Sequence, residues 1–310
     1  MNKKLITAIL ATITLVTTAI QAVPAKADNA PAVAILDTAL DTSLPIFKDR
    51  IAYEVCILEW NSCPNGKSFQ EGPGSAVLPM SIITNNGFSH GTTMASVVAN
   101  TDPNVKIVFI RIIGNTPSGG RQIANELTVV NALNWVLQNK DKFNIKAVSM
   151  SQGNHGILTS NTNYCPNTQS TKDMIDLLLA ADIPTFLAAG NGRDYERIDW
   201  PACIDSSISI GMADQYDQID NYSNYDSKKL DFYAVGNMQV TSVGGVQKYG
   251  AGTSASTQVA ATTYAAVKNK NPNLNSQQIL DILSQTSVQI KGSRGQTGKL
   301  IKYQGAINVR

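Results

Sequence analysis

Six apolar runs rich in β-branched residues recur through the chain, at residues 32–36, 105–110, 145–150, 184–188, 207–211 and 230–235. Several are continuous rather than alternating, the pattern of strands buried on both faces. Helical patterns lie between and after them, at 91–99, 123–139, 171–181, 254–270 and 276–284. In the second of these, Leu127, Val130, Leu133, Asn134 and Leu137 fall along one side, and the last is entered through Pro272 with Asn275 or Ser276 as its cap. Strands alternating with helices predict an α/β fold, a mostly parallel sheet with helices on both faces. At 310 residues, with 43% hydrophobic and 15% charged residues, the chain is long enough to bury one large core of this kind. No internal repeat is present, and the glycine- and proline-bearing stretch 65–79 reads as a loop or insertion.

Open parallel sheets bind ligands at the carboxyl ends of their strands. Three polar residues follow such runs: Asp37, Ser151 and, after Ala189-Gly190, Asn191. There are two histidines, His90 at the head of a small-residue helix and His155 in a loop. The segment GTSAS, 252–256, places Ser254 where a chain turns into a helix. Taken one at a time, each of these also suits a turn former or a helix cap. Their order discriminates further. An α/β-hydrolase needs its serine before its histidine and a G-x-S-x-G elbow, and this chain has neither. The order His, Asp, Ser belongs to β-barrels, which the helical patterns contradict, whereas Asp37, His90, Ser254 follows the third known order, Asp, His, Ser.

Lys3 and Lys4, an uncharged stretch over 5–20 and Ala25-Lys26-Ala27 form a signal peptide, expected to be cleaved after residue 27. Residues 28–310 then form a single catalytic domain, exported to a secreted or periplasmic location, with no membrane partner once the signal is removed. Loss of three lysines leaves 22 Lys+Arg against 23 Asp+Glu, and no basic cluster stands out. That balance argues against nucleic acid as a partner. Cys56, Cys63, Cys165 and Cys203 all lie in the exported part, so two disulfides are expected. Four cysteines allow three pairings; Cys56 with Cys63 and Cys165 with Cys203 is favoured because Asn61, Pro64 and Gly66 make the first a local loop. A zinc site is disfavoured, because no C-x-x-C occurs and the histidines are not grouped with the cysteines.

Five segments together carry a family resemblance: VAILDT, HGTTMAS, AVSMSQG, AAGN and GTSAST, in that order, with NYSNYDSKKLDFYAVG leading into the last. The chain resembles the subtilisin-like serine proteases, the subtilases. The resemblance implies the subtilisin-like three-layer fold and a serine endopeptidase. It makes Ser254 the nucleophile, His90 the general base and Asp37 the residue that orients His90, with Asn191 and the Ser254 amide forming an oxyanion hole. Ser149, Ser151, Gln152 and Gly153 would present a strand edge to an extended peptide or protein substrate, with Gly119, Gly120 and the residues to Gln122 on its other side. Ala188, Ala189 and Gly190 would line part of the primary pocket, whose preferred side chain the sequence does not define.

This chain departs from the family pattern at Ala39, Ser96 and Gln258, where glycine, glycine and proline are usual. Nine residues separate the expected cleavage point from Asp37, which leaves no room for the family's propeptide and implies folding without one or with a separate helper or inhibitor chain. No cofactor is required for the chemistry. Structural calcium is common in the family, and Asp41, Asp49, Asp194 and Asp199 lie in loops where it would bind. Two other functions remain open: a weak or inactive member that binds peptides, and a transpeptidase or cyclase.

Overall fold

The computed structural model describes residues 30–85, 87–115, 120–122, 124–153, 165 and 168–309. The expected signal peptide, Gly119 and His155 lie outside the described residues.

Twelve strands are found among the described residues: β1 (Ala32–Asp37), β2 (Ile51–Ile57), β3 (Phe69–Glu71), β4 (Lys106–Arg111), β5 (Ile145–Met150), β6 (Thr185–Ala188), β7 (Ile208–Ala213), β8 (Phe232–Val235), β9 (Asn237–Thr241), β10 (Gln247–Ala251), β11 (Val288–Lys291) and β12 (Thr297–Leu300). The helices are α1 (Met80–Asn85), α2 (His90–Thr101), α3 (Glu126–Asn139), α4 (Gln169–Ala180), α5 (Thr253–Lys270), α6 (Ser276–Thr286) and α7 (Tyr303–Ile307). Ten strands form one sheet in the order β11-β12-β8-β7-β6-β5-β1-β4-β2-β3, and β9 pairs with β10 in a separate antiparallel ribbon. Within the ten-stranded sheet the pairings from β12 across to β2 are parallel, and its antiparallel strand pairs among the described residues lie at the two edges, β2 with β3 and β11 with β12.

Strand β1 shows why its sequence runs apolar without interruption. Ala32, Ala34 and Leu36 join one core, with Val129, Ala132 and Leu133 of α3 and Ile175 and Leu178 of α4. Val33 and Ile35 join the other, with Ala95 and Val98 of α2, Ala260, Ala261 and Tyr264 of α5, and Ile279 of α6. Both faces of the sheet are therefore covered, and the three-layer α/β arrangement expected from the sequence is present.

Two sequence expectations need correcting. The segment 65–79 is not wholly loop, because β3 lies within it and pairs with β2; a three-residue, largely exposed edge strand leaves little apolar signal. The inward side of α3 is also different. Leu127 is exposed, while Thr128, Val129, Ala132, Leu133 and Val136 are buried, so the stripe is rotated by one residue from the leucine-based reading. Helix α6 starts as its sequence suggests, with Asn275 and Gln278 exchanging side-chain and main-chain hydrogen bonds in a capping box.

Helix α2 approaches β1 closely because of Gly91. A Cβ at this position would lie 2.5 Å from the carbonyl oxygen of Ala39 and 2.6 Å from Cζ of Phe109. One of these atoms is main chain and cannot rotate away. Gly91→Ala is therefore expected to lower unfolding stability by about 1–3 kcal/mol, read as a lower denaturant midpoint; an unchanged midpoint would show that the helix can shift without cost.

Candidate active site

Asp37 ends β1 at the carboxyl edge of the sheet and is fully buried. Its neighbour Thr38 ties two segments together. The Thr38 amide donates to Asp37 Oδ1 at 2.7 Å, its hydroxyl donates to the Phe88 carbonyl at 2.7 Å, and the same hydroxyl accepts from the Gly91 amide at 2.8 Å. The chain entering α2 is thus clamped to the end of β1, with His90 between the two clamped residues. His90 Nδ1 lies 2.8 Å from Asp37 Oδ1 and 2.9 Å from Oδ2, and its side chain is about two-thirds covered. With Nδ1–H directed at the carboxylate, Nε2 is left as the acceptor.

Ser254 is the second residue of α5. The two helices that carry His90 and Ser254 pack through Met94 and Val97 of one and Ala255 and Val259 of the other, which brings their N-terminal ends to the same edge of the sheet. Among the described residues the Ser254 amide has no hydrogen-bond acceptor, and Ser254 Oγ makes no hydrogen bond to the His90 ring. The amide therefore points outward from a helix N-terminus, where the helix dipole favours negative charge.

Asn191 faces this terminus. Its Oδ1 accepts from the Thr253 amide at 2.9 Å and from the Thr253 hydroxyl at 3.1 Å. That assigns the oxygen to the protein and leaves the Nδ2 donors to the exposed side. Gly190, at φ +104°, allows the turn into Asn191, and its amide donates to the Thr253 hydroxyl at 3.2 Å. Asn224, in the NYSNYD segment, supports the loop beyond. Its Oδ1 accepts from the Gly192 and Asp194 amides, and its own amide donates to the Gly190 carbonyl.

The residues expected to bind substrate divide in the structure. Ser151 and Gln152 follow β5 and join the two halves of the site, since the Ser151 hydroxyl donates to the Ser254 carbonyl at 3.0 Å and the Gln152 side chain reaches Asp37 and His90. Ser149 is fully buried, with its hydroxyl unpartnered among the described residues, so its side chain supports the strand from within. Gly153 is exposed and its Cα backs onto the Trp200 carbonyl, while Ala189 is fully buried and Ala188 half-buried. Gly120 is exposed at the edge of the described residues, and next to it Arg121 bridges Asn115 in antiparallel fashion.

The sequence reading missed Thr38 and Thr253 as the hydroxyls that set the site's geometry. Both stand directly beside residues it singled out, in VAILDT and GTSAST, and only their spatial partners reveal the role. Two departures from the family pattern also find uses. Gln258, fully buried one turn after Ser254, donates to the Ser151 hydroxyl at 3.0 Å. The Ser96 hydroxyl accepts from the Thr241 amide and links α2 to β9. Ala39 is buried where α2 passes closest.

Both disulfides follow the favoured pairing, Cys56–Cys63 and Cys165–Cys203. Three of the four carboxylates considered for calcium accept hydrogen bonds from the protein. Asp41 accepts from Ser43 and from the Gly244 amide, and Asp194 from the Glu196 and Arg197 amides and the Arg197 side chain. Asp199 accepts from the Asn224 side chain. Among the described residues no three His, Cys, Asp or Glu side chains come close enough to share a cation. Nor is any helix among them long and apolar enough to cross a membrane.

Comparison with known proteins gives a consistent picture. An alkaline protease of Alkalihalobacillus alcalophilus is 24% identical over 245 residues, 75% of this chain and 58% of the relative. Subtilisin Savinase of Lederbergia lenta is 23% identical over 75% of this chain and 82% of its own length. The chain thus spans well under two thirds of the first of these relatives. In structure, a protease from Pseudoalteromonas arctica superposes with a TM-score of 0.71 at 20% identity, covering 91% of this chain and 90% of its own. The prenylagaramide maturation protease PagA does so with a TM-score of 0.65 at 17% identity, covering 91% and 93%. These structural likenesses show the subtilisin-like fold. The profile of the subtilase family matches residues 28–305, almost the whole chain, and the chain belongs to that family.

Proposed function

We propose that this protein is an exported serine endopeptidase that cleaves extended segments of peptides or proteins through Asp37, His90 and Ser254. The observation that carries the reading is the buried Asp37 carboxylate within 2.9 Å of His90 Nδ1, at the sheet edge where the N-terminus of α5 presents Ser254. In this reading His90 Nε2 takes the Ser254 proton as Oγ attacks the scissile carbonyl, then returns it to the leaving amine. Asp37 holds the ring and stabilises its cation. The oxyanion is met by the Ser254 amide and by Asn191 Nδ2, which its Thr253 anchor turns toward the site. Asn191→Leu keeps the size and removes the donor, so kcat is expected to fall by about 10²–10³ with little change in KM; an equal rise in KM would make Asn191 a substrate-binding residue instead.

Two further readings are separated by one experiment. A peptide-binding role without turnover is favoured by the lack of a Ser254–His90 hydrogen bond among the described residues, and the acyl-enzyme of a serine peptidase can also be intercepted by an amine. Incubation of the purified exported protein with an unfolded reporter protein and a free peptide amine, followed by mass spectrometry, reads all three. Fragments whose masses sum to substrate plus water support the peptidase, and fragments joined to the amine support transpeptidation. No fragments, with reporter retained on the protein, would support binding alone. The same spectra read the mature N-terminus, expected at Asp28 after signal removal.

A further inference from the structure

Gln152 belongs by sequence to the strand edge offered to a substrate, yet its side chain is 8% exposed and turned inward. Its Nε2 lies 3.0 Å from Asp37 Oδ1 and 3.0 Å from His90 Nδ1, and its Oε1 accepts from Arg121 Nη2 at 2.6 Å. A guanidinium can only donate, and an ionised carboxylate can only accept. The two neighbours therefore fix the orientation of the amide, oxygen toward Arg121 and nitrogen toward Asp37. Asp37 Oδ1 then receives the Thr38 amide, Gln152 Nε2 and the ring, whereas Oδ2 receives the ring alone. The short contact between Gln152 Nε2 and His90 Nδ1 follows from two donors sharing one oxygen.

We propose that Gln152, held by Arg121, is a positioning residue for the Asp37–His90 pair; the proposal rests on the reading of that pair as the acid–base system of the site. Gln152 acts in two ways. It fixes the rotation of the carboxylate, because the Thr38 amide and Gln152 Nε2 together hold Oδ1 in place and so keep both carboxylate oxygens within 2.9 Å of Nδ1. It also draws negative charge away from the ring, through its own donor and through the Arg121 cation behind it, and so favours the neutral imidazole that accepts a proton from serine. The other charged groups nearby are turned elsewhere. Arg111, in register with Asp37 on β4, directs its guanidinium to the Ile113 and Ser62 carbonyls, and the Asp41 carboxylate is taken by Ser43 and Gly244. Arg121 is itself exposed beside Gly120, on the side where an extended peptide would pair, so the link runs from the substrate edge to the buried carboxylate.

The test follows the ring of His90 by NMR in a Ser254→Ala, His155→Asn background, which leaves one histidine and needs no turnover. Gln152→Leu is expected to move the titration of that ring to higher pH by on the order of half a unit. Arg121→Met should move it the same way by less, and Arg121→Lys should restore most of the shift. Gln152→Met stands in if the leucine variant fails to fold. In the otherwise unchanged enzyme, Gln152→Leu should slow labelling of Ser254 by a fluorophosphonate roughly 3–10-fold, with the acid limb of the rate profile moved upward and peptide KM unchanged. A ring titration that does not move, or a higher KM with unchanged labelling, would overturn the proposal and return Gln152 to substrate contact. A parent protein that never labels would overturn the catalytic reading instead, and the NMR shift would still decide the role of Gln152.

Discussion

Ser254→Ala and His90→Ala are each expected to lower kcat against a peptide substrate by about six orders of magnitude, and the double variant by no more than either. In the proposed mechanism the hydroxyl and the ring act as one unit. A serine without a base within reach is barely nucleophilic, and a base without the serine has no proton to take. Both residues sit at the N-terminal ends of packed helices and contribute little to the core, so folding should be retained: Ser254 and His90 are part-buried, whereas Met94, Val97 and Ala255 carry the helix contact. Rates measured on the three variants, with stability as a control, check this. Losses that add would mean that the two residues work independently.

Asp37→Asn is expected to lower kcat by about 10⁴ while leaving the fold intact. The surroundings of Asp37 dictate which way the new amide turns. The position of Oδ1 is already supplied with donors by the Thr38 amide and Gln152 Nε2, so the asparagine oxygen must go there. Its Nδ2 then occupies the place of Oδ2 and donates to His90 Nδ1. That forces the ring into the tautomer protonated on Nε2, which cannot accept a proton from Ser254. The variant should therefore be slow because of the tautomer, and a fall of less than tenfold would contradict this view of the hydrogen bonds. Adding Gln152→Leu should relieve part of the loss, since it removes one of the donors that hold the asparagine in the wrong orientation.

The frame of the fold was legible because its strands are buried on both faces. Residues 32–36, 105–110 and 145–150 read as strands for the same reason that they lie at the centre of the sheet. The peripheral strands were not legible. β3, β9, β10 and β11 have exposed or mixed burial patterns, and β2 carries Tyr53 and Glu54 in its middle, so periodicity gives no clear signal. In the candidate site, residues with characteristic neighbours, Asp37, His90, Asn191 and Ser254, could be named from their segments alone. Gln152 could be placed on the right strand but not given its direction, because which way an amide points depends on Arg121, thirty-one residues away. The same holds for Gln258, which looked like a deviation until its contact with Ser151 was seen.

The central claim is that Ser254 is an activated nucleophile. Incubation of the purified protein with a fluorophosphonate near neutral pH, with the adduct located by mass spectrometry, tests it most directly. The account predicts one adduct, on Ser254, absent from Ser254→Ala and strongly reduced in His90→Ala. A folded protein that forms no adduct, or one that labels equally well without His90, would contradict it.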